Sequence, residues 1–285
     1  MIKKIFITLC GMAVFIFLII VCMTLYLRAQ PNPYAFMGQI SYKGPINIAA
    51  YEKIKSIYDD AKKKPTKLKI NSLGGSSLAG ILIGRFIHEN SLDVIVDKNC
   101  HSSCANFVFT AAREKVISHH ALIVFHGGSF QKNITRQRIL LIEGEVQKIP
   151  ISFNNQGKEA IASFSDNELK ISKYFPKYEN SCSKDYLIST DIFIEKRVEK
   201  CTAFLQNIER NFYIMLNVDP MISYYGQQNE YEELYKSYKY IGFYYDLDSL
   251  SNMGVKNISI RGDKLNVSDN DLSNKVYLVS VSESD

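Results

Sequence analysis

From Phe36 to Phe125 short apolar runs take turns with segments of helical period, and that alternation restricts the architecture the chain can adopt. Phe36–Tyr42, Lys67–Asn71, Leu92–Asp97, Lys115–Ser118 and Ala121–Phe125 read as strands, the third through its β-branched Val94-Ile95-Val96. Between them, Ile46–Lys62 repeats apolar residues at Ile46, Ala50, Ile54, Ile57 and Tyr58, the spacing of one helix face. Ser76–Glu89 does the same with Leu78, Ile81, Leu82 and Phe86, and Ser103–Arg113 carries Phe107, Val108 and Ala111. Strands and helices in rotation pack as a mainly parallel sheet with right-handed crossovers, so the expected fold class is α/β. The chain is 46% hydrophobic and 22% charged, enough apolar mass for such a core and unlike a disordered or collagen-like composition. Its net charge of +5 is spread without a long Lys/Arg run, so no nucleic-acid partner is expected.

Ahead of this region, Ile5–Leu27 contains no charged residue. As a helix it would be roughly 34 Å long, enough for a hydrocarbon core of about 30 Å. It is longer than a signal-peptide core, and Leu27-Arg28-Ala29 is a poor cleavage site. Cys22 lacks the small preceding residue of a lipoprotein. The expectation is an uncleaved anchor in the lipid bilayer. Lys3 and Lys4 keep the N-terminus cytoplasmic, and the main domain is periplasmic or extracellular. Residues 1–28 are then stub and anchor, 29–34 a linker, 35–137 the sheet core and 138–190 an insertion. Residues 191–279 form a helical part with the last core strand, Val255–Ile260, and 280–285 a polar tail.

Cys10 and Cys22 lie in the apolar segment. For the other four cysteines in an oxidising compartment, Cys100–Cys104 with Cys182–Cys201 is the simplest of three connectivities. The rival is zinc. Cys100-His101-Ser102-Ser103-Cys104 is no CxxC knuckle and has no second ligand pair, so neither metal nor cofactor is expected.

In a parallel sheet, ligands bind beyond the carboxyl ends of the strands, where helix N-termini present unpaired N–H groups. Three features converge there: Gly74-Gly75 after one strand, Ser102-Ser103-Cys104 opening a helix after the next, and His126 closing a third. Glycines let a backbone approach a substrate, a helix-opening serine presents a hydroxyl, and an imidazole can take its proton. Taken singly, each has a plain structural alternative: a turn, a helix cap and a structural histidine. The tyrosines of 224–245 read as groove-lining or as partly exposed packing residues.

The order Ile70-Asn71-Ser72-Leu73-Gly74-Gly75, Gly80, Ile83-Gly84, Ser102-Ser103-Cys104-Ala105-Asn106-Phe107, Phe125-His126 resembles the Clp protease proteolytic subunit. More broadly it is similar to the Clp/crotonase superfamily, especially its membrane-anchored extracytoplasmic members. The resemblance covers roughly Phe36–Gly128, with an echo in Leu250–Ile258. It implies a Clp/crotonase-like sheet with βαβ superhelical crossovers behind one transmembrane helix, and a serine peptidase acting on a peptide or protein. It further implies Ser103 as nucleophile, His126 as base 23 positions later, and Gly74, Gly75 and Cys104 as oxyanion donors. The family's acid would fall in Tyr238–Tyr245, which holds no Asp or Glu; Asp246, just beyond it, is the candidate acid, although it and Asp248 are each equally suited to cap a helix near Leu250. The ring-forming elements of the cytosolic protease are not recognisable, so no ATPase partner is expected, and self-association stays open. The alternatives are a non-catalytic binding protein on this fold and, more distantly, a crotonase-type acyl-CoA enzyme.

Overall fold

The computed structural model describes residues 32–130, 173–175, 191–237, 239–262 and 264–282, with isolated helical positions 12, 15–17, 19 and 21. For 191–202 it describes the backbone only. The anchor Ile5–Leu27, save those positions, and the insertion 138–190, save 173–175, lie outside the described residues, as do Cys182 and the Cys201 side chain. Among the described residues no helix is long and apolar enough to cross a membrane.

The first strand of the sequence reading is a hairpin. β1 (Tyr34–Phe36) and β2 (Gln39–Lys43) pair antiparallel around Met37-Gly38, whose φ values are 48° and 75°. Two successive positive φ values make the tight turn whose twist suits a hairpin. From there the chain is parallel. α1 (Ile48–Asp60) begins where Asn47 Oδ1 accepts the Ala50 N–H at 2.8 Å and leads to β3 (Lys67–Ser72). α2 (Ser77–Glu89) begins where Ser76 Oγ accepts the Ala79 N–H at 3.3 Å and leads to β4 (Asp93–His101). Each cap satisfies an amide that the helix itself leaves unpaired.

β4 runs four residues beyond its expected end at Asp97, and it forks. Val94–Val96 pairs with β5 (Lys115–Ser118), while Asn99–His101 pairs with β6 (Leu122–Val124). A register shift between Ile70 and Ser72 on β3 accompanies the fork. β8 (Ile258–Arg261) adds to β5, giving the order β1-β2-β3-β4-β5-β8 with β6 on β4, parallel except at β1/β2. The mainly parallel α/β expectation holds, although the last strand begins three residues later than read.

Two further helices, α3 (Asp191–Leu216) and the short α4 (Glu232–Lys236), precede β7 (Gly242–Tyr245). α5 (Leu247–Asn252) follows, and β9 (Val276–Val279) pairs parallel with β7 as a small second sheet. Phe125 and Phe243 exchange hydrogen bonds of 2.7 and 3.0 Å, joining that sheet to the end of β6. The core lies where the strands meet α2 and α3. Leu68, Ile70, Val94 and Val96 are fully buried, as are Phe107, Phe212 and Tyr213. α2 is buried almost all round from Leu78 to Ile87, the pattern of a helix packed on two sides. Gly80 and Gly84, one turn apart on it, open the space for the segment after β4. A Cβ at Gly80 would come within 2.9 Å of the Phe107 ring, and one at Gly84 within 2.5 Å of the Phe107 carbonyl and 2.7 Å of Phe212.

That segment is not the ordinary α-helix expected over Ser103–Arg113. Cys104–Phe109 is a wide π-helical turn. The Asn106 carbonyl accepts from Thr110 Oγ1 at 2.7 Å and from Tyr213 Oη at 3.1 Å. Such widened turns recur at functional sites.

Candidate active site

The carboxyl ends of β3, β4 and β6 gather the three features that the motifs single out. After β3, Leu73 is exposed and the backbone turns through Gly74 and Gly75, with φ of 95° and 149°. Both values lie where a side chain is strained. A Cβ at Gly75 would stand 2.3 Å from the Ile46 carbonyl, so only glycine fits. The Ile46 N–H donates to the Gly74 carbonyl and the Ser76 N–H to the Ile46 carbonyl, both at 2.8 Å. The Gly75 N–H shares a trans peptide with the Gly74 carbonyl and so points away from Ile46.

At that end, Ser102 has φ of 53°, an uncommon conformation for a residue with a Cβ, and the chain swings from strand into the π-helical turn. A Cβ at Gly74 would lie 2.7 Å from both the His101 carbonyl and Ser102 Cβ, so the glycine turn and the serine turn are in contact. Ser102 is half-buried and abuts Gly74. Ser103 is 1% exposed and its Cβ packs beside Gly80. Ser103 Oγ is buried and makes no hydrogen bond, and its side chain does not cap the helix. The Cys100–Cys104 disulfide is present and brackets both serines, pinning the end of β4 to the first residue of the turn that holds the Cys104 amide.

His126 comes to the same place through β6. The Ser102 N–H donates to the Val124 carbonyl at 2.8 Å. The Asn106 side-chain amide donates to the Gly127 carbonyl at 2.9 Å and reaches the His126 carbonyl at 3.5 Å. The serine turn and the His126 segment are therefore hydrogen-bonded to each other. His126 itself is half-buried. No hydrogen bond joins Ser103 Oγ to it.

Asp246 stands at the N-cap of α5. One carboxylate oxygen accepts the Ser249 N–H at 2.7 Å and the other the Ser280 hydroxyl at 3.1 Å. Despite the burial that opposes it, these hydrogen bonds hold its acidity stronger than an ordinary aspartate's. The residue beside His126 is Gly242, where a Cβ would lie 3.4 Å from His126 Cβ.

Two buried groups here carried no sequence signal. His101 ends β4 opposite Val124, 5% exposed, with Nε2 unpartnered. Burial lowers its pKa to about 4, so it is neutral at pH 7. Glu209 on α3 is 2% exposed and accepts from the Ser129 N–H at 2.8 Å, Ser129 Oγ at 2.7 Å and Ser223 Oγ at 3.0 Å.

A cavity of about 360 Å³ lies at the opposite end of the sheet, lined by His88, Arg113, Lys115 and Lys256. Its two most engaged cations are already committed. The Lys115 ammonium donates to the Ala112 and Lys256 carbonyls at 2.7 and 3.0 Å, and Arg113 pairs with Asp93 at 2.8 Å. The Gly74-Gly75, Ser102-Ser103-Cys104 and His126 segments meet at the other end of the sheet. Among the described residues no group of His, Cys, Asp and Glu side chains is arranged to hold a metal ion.

No family model and no curated protein matches the chain. Among solved structures it is similar to a peptidase from Plasmodium falciparum, at 15% identity and a TM-score of 0.28 over 58% of this chain and 92% of that one. It is also similar to a mutant form of a membrane-bound stomatin-specific protease, at 10% identity and a TM-score of 0.32 over 85% of this chain and 95% of that one. Neither likeness is close enough to assign a function.

Proposed function

We propose that the chain is a membrane-anchored serine peptidase of Clp-like type. The observation that carries this is the meeting of the Gly74-Gly75 turn, the Ser102-Ser103-Cys104 turn and the His126 loop, held by the Gly74–Ser102 contact and the Asn106–Gly127 hydrogen bond. In the reaction, Ser103 Oγ bonds to the scissile carbonyl carbon while its proton passes to His126. The carbonyl electron pair moves onto oxygen, which the Gly75 and Cys104 amides receive; losing one such donor costs on the order of 3 kcal/mol of transition-state stabilisation. Collapse expels the amine, which takes the proton from His126, and water then releases the acyl group by the same steps.

The test is incubation of the full chain, exported so that its disulfide forms, with an unbiased peptide library read by mass spectrometry. Cleavage is expected, lost in Ser103→Ala and in His126→Ala; cleavage unchanged in Ser103→Ala removes the assignment. The second reading is a non-catalytic binding protein on the same fold. It is favoured by the burial of Ser103 Oγ and by a glycine at the position beside the base. It expects no cleavage by any form of the chain.

A further inference from the structure

A base that takes a proton from serine becomes an imidazolium, and a nearby negative charge stabilises it. The stretch that would supply a carboxylate places Gly242 beside His126, and both oxygens of Asp246 are held by Ser249 and Ser280. The His126 loop meets a different carboxylate. Glu209 Oε2 accepts both the Ser129 N–H and the Ser129 hydroxyl, and Oε1 accepts from Ser223. Oε1 also occupies the space of a side chain at Gly128, lying 2.1 Å from where a Cβ would be. Two residues of chain span at most about 7 Å, so this oxygen is on the order of 10 Å or less from the His126 Cα.

We propose that Glu209 is the positioning residue for His126, a buried negative charge delivered from α3 that fixes the 126–129 loop and favours the protonated imidazole. The proposal rests on the hydrolase reading for its purpose. Tyr213, one turn further along α3, belongs to the same assembly: its hydroxyl donates to the Asn106 carbonyl on the π-helical turn at 3.1 Å. Ionisable groups on the elements packed near the loop include Arg210 over the Phe130 ring, Tyr245 against Phe125, His101 opposite Val124, and Asp219, which is held by Tyr225. Burial keeps Tyr213 and Tyr245 protonated, and His101 is neutral above about pH 4.

The experiment is an NMR titration of the full chain, labelled at its five histidines, with the His126 resonance assigned by substitution. Glu209→Gln keeps the shape and removes the charge; Ser223→Ala keeps the charge and removes one hydrogen bond. The His126 midpoint is expected to fall by about one pH unit in Glu209→Gln, the size of a charge effect at about 10 Å in an intermediate dielectric, and to stay in Ser223→Ala. A folded Glu209→Gln protein with an unmoved midpoint overturns the proposal. If that variant does not fold, the wild-type Glu209 side-chain carbon is followed instead. A second step at the His126 midpoint is expected there, and its absence overturns the proposal. The titration needs no hydrolysis, so its failure is distinct from failure of the peptidase reading.

Discussion

Ser102 and Ser103 are neighbours of the same chemical type in opposite situations. Ser102 takes the positive φ that turns the chain and leans on Gly74, while Ser103 sits in helical geometry with its hydroxyl enclosed next to Gly80. The motif singles out Ser103, and nothing in its neighbours along the chain foretells the enclosure, because Gly80 reaches it from α2. His101 makes the same point. In sequence it is one polar residue between two cysteines, and its burial comes from the fork that pairs it with Val124. That burial has a measurable sign. With a folded pKa of about 4 and an unfolded value near 6.5, the stability linked to His101 is complete above pH 6.5 and is lost as pH falls toward 4. By pH 4.5 the loss is about 2–3 kcal/mol. Urea unfolding at pH 7.5 and 4.5 should show wild type losing that much more than His101→Gln. Equal losses in the two proteins would contradict it.

Elements that depend on short-range pattern were readable from the sequence, and those set by distant partners were not. α1 and α2 announce themselves through apolar period, and the strand cores of β3, β4 and β5 through short apolar runs, β-branched in β4. The hairpin at Met37-Gly38 was hidden because a methionine at φ of 48° has no local signature. The small β7/β9 sheet was hidden because its strands lie about thirty residues apart and meet only after α5. Glu209 was invisible for the same reason, its partners Ser129 and Ser223 lying on other segments. The packing of α2 on the π-helical turn carries its own prediction. Gly84→Ala must displace the Phe107 backbone and the Phe212 ring, which approach a Cβ there to 2.5 and 2.7 Å. Overpacking of this kind costs about 1–3 kcal/mol, so thermal unfolding should move down by several degrees, and an unchanged Tm would show that the helix pair has slack.

At the scale of the whole molecule, the fork of β4 divides the labour. Its first half builds the continuous parallel sheet with β3 and β5. Its second half turns with β6 toward the small sheet, bringing His126 to the serine turn. The Cys100–Cys104 bridge closes the turn on one side, while Asn106 and Glu209 hold the histidine loop on the other. Everything proposed about catalysis depends on that junction acting as one reactive centre. The most direct measurement is reaction of the full, oxidised chain with a fluorophosphonate, with the adduct located by peptide mass spectrometry. The expected result is one phosphonylated residue, Ser103, absent from Ser103→Ala and sharply slowed in His126→Ala. A label on Ser102, or no label on correctly oxidised protein, would contradict the assignment.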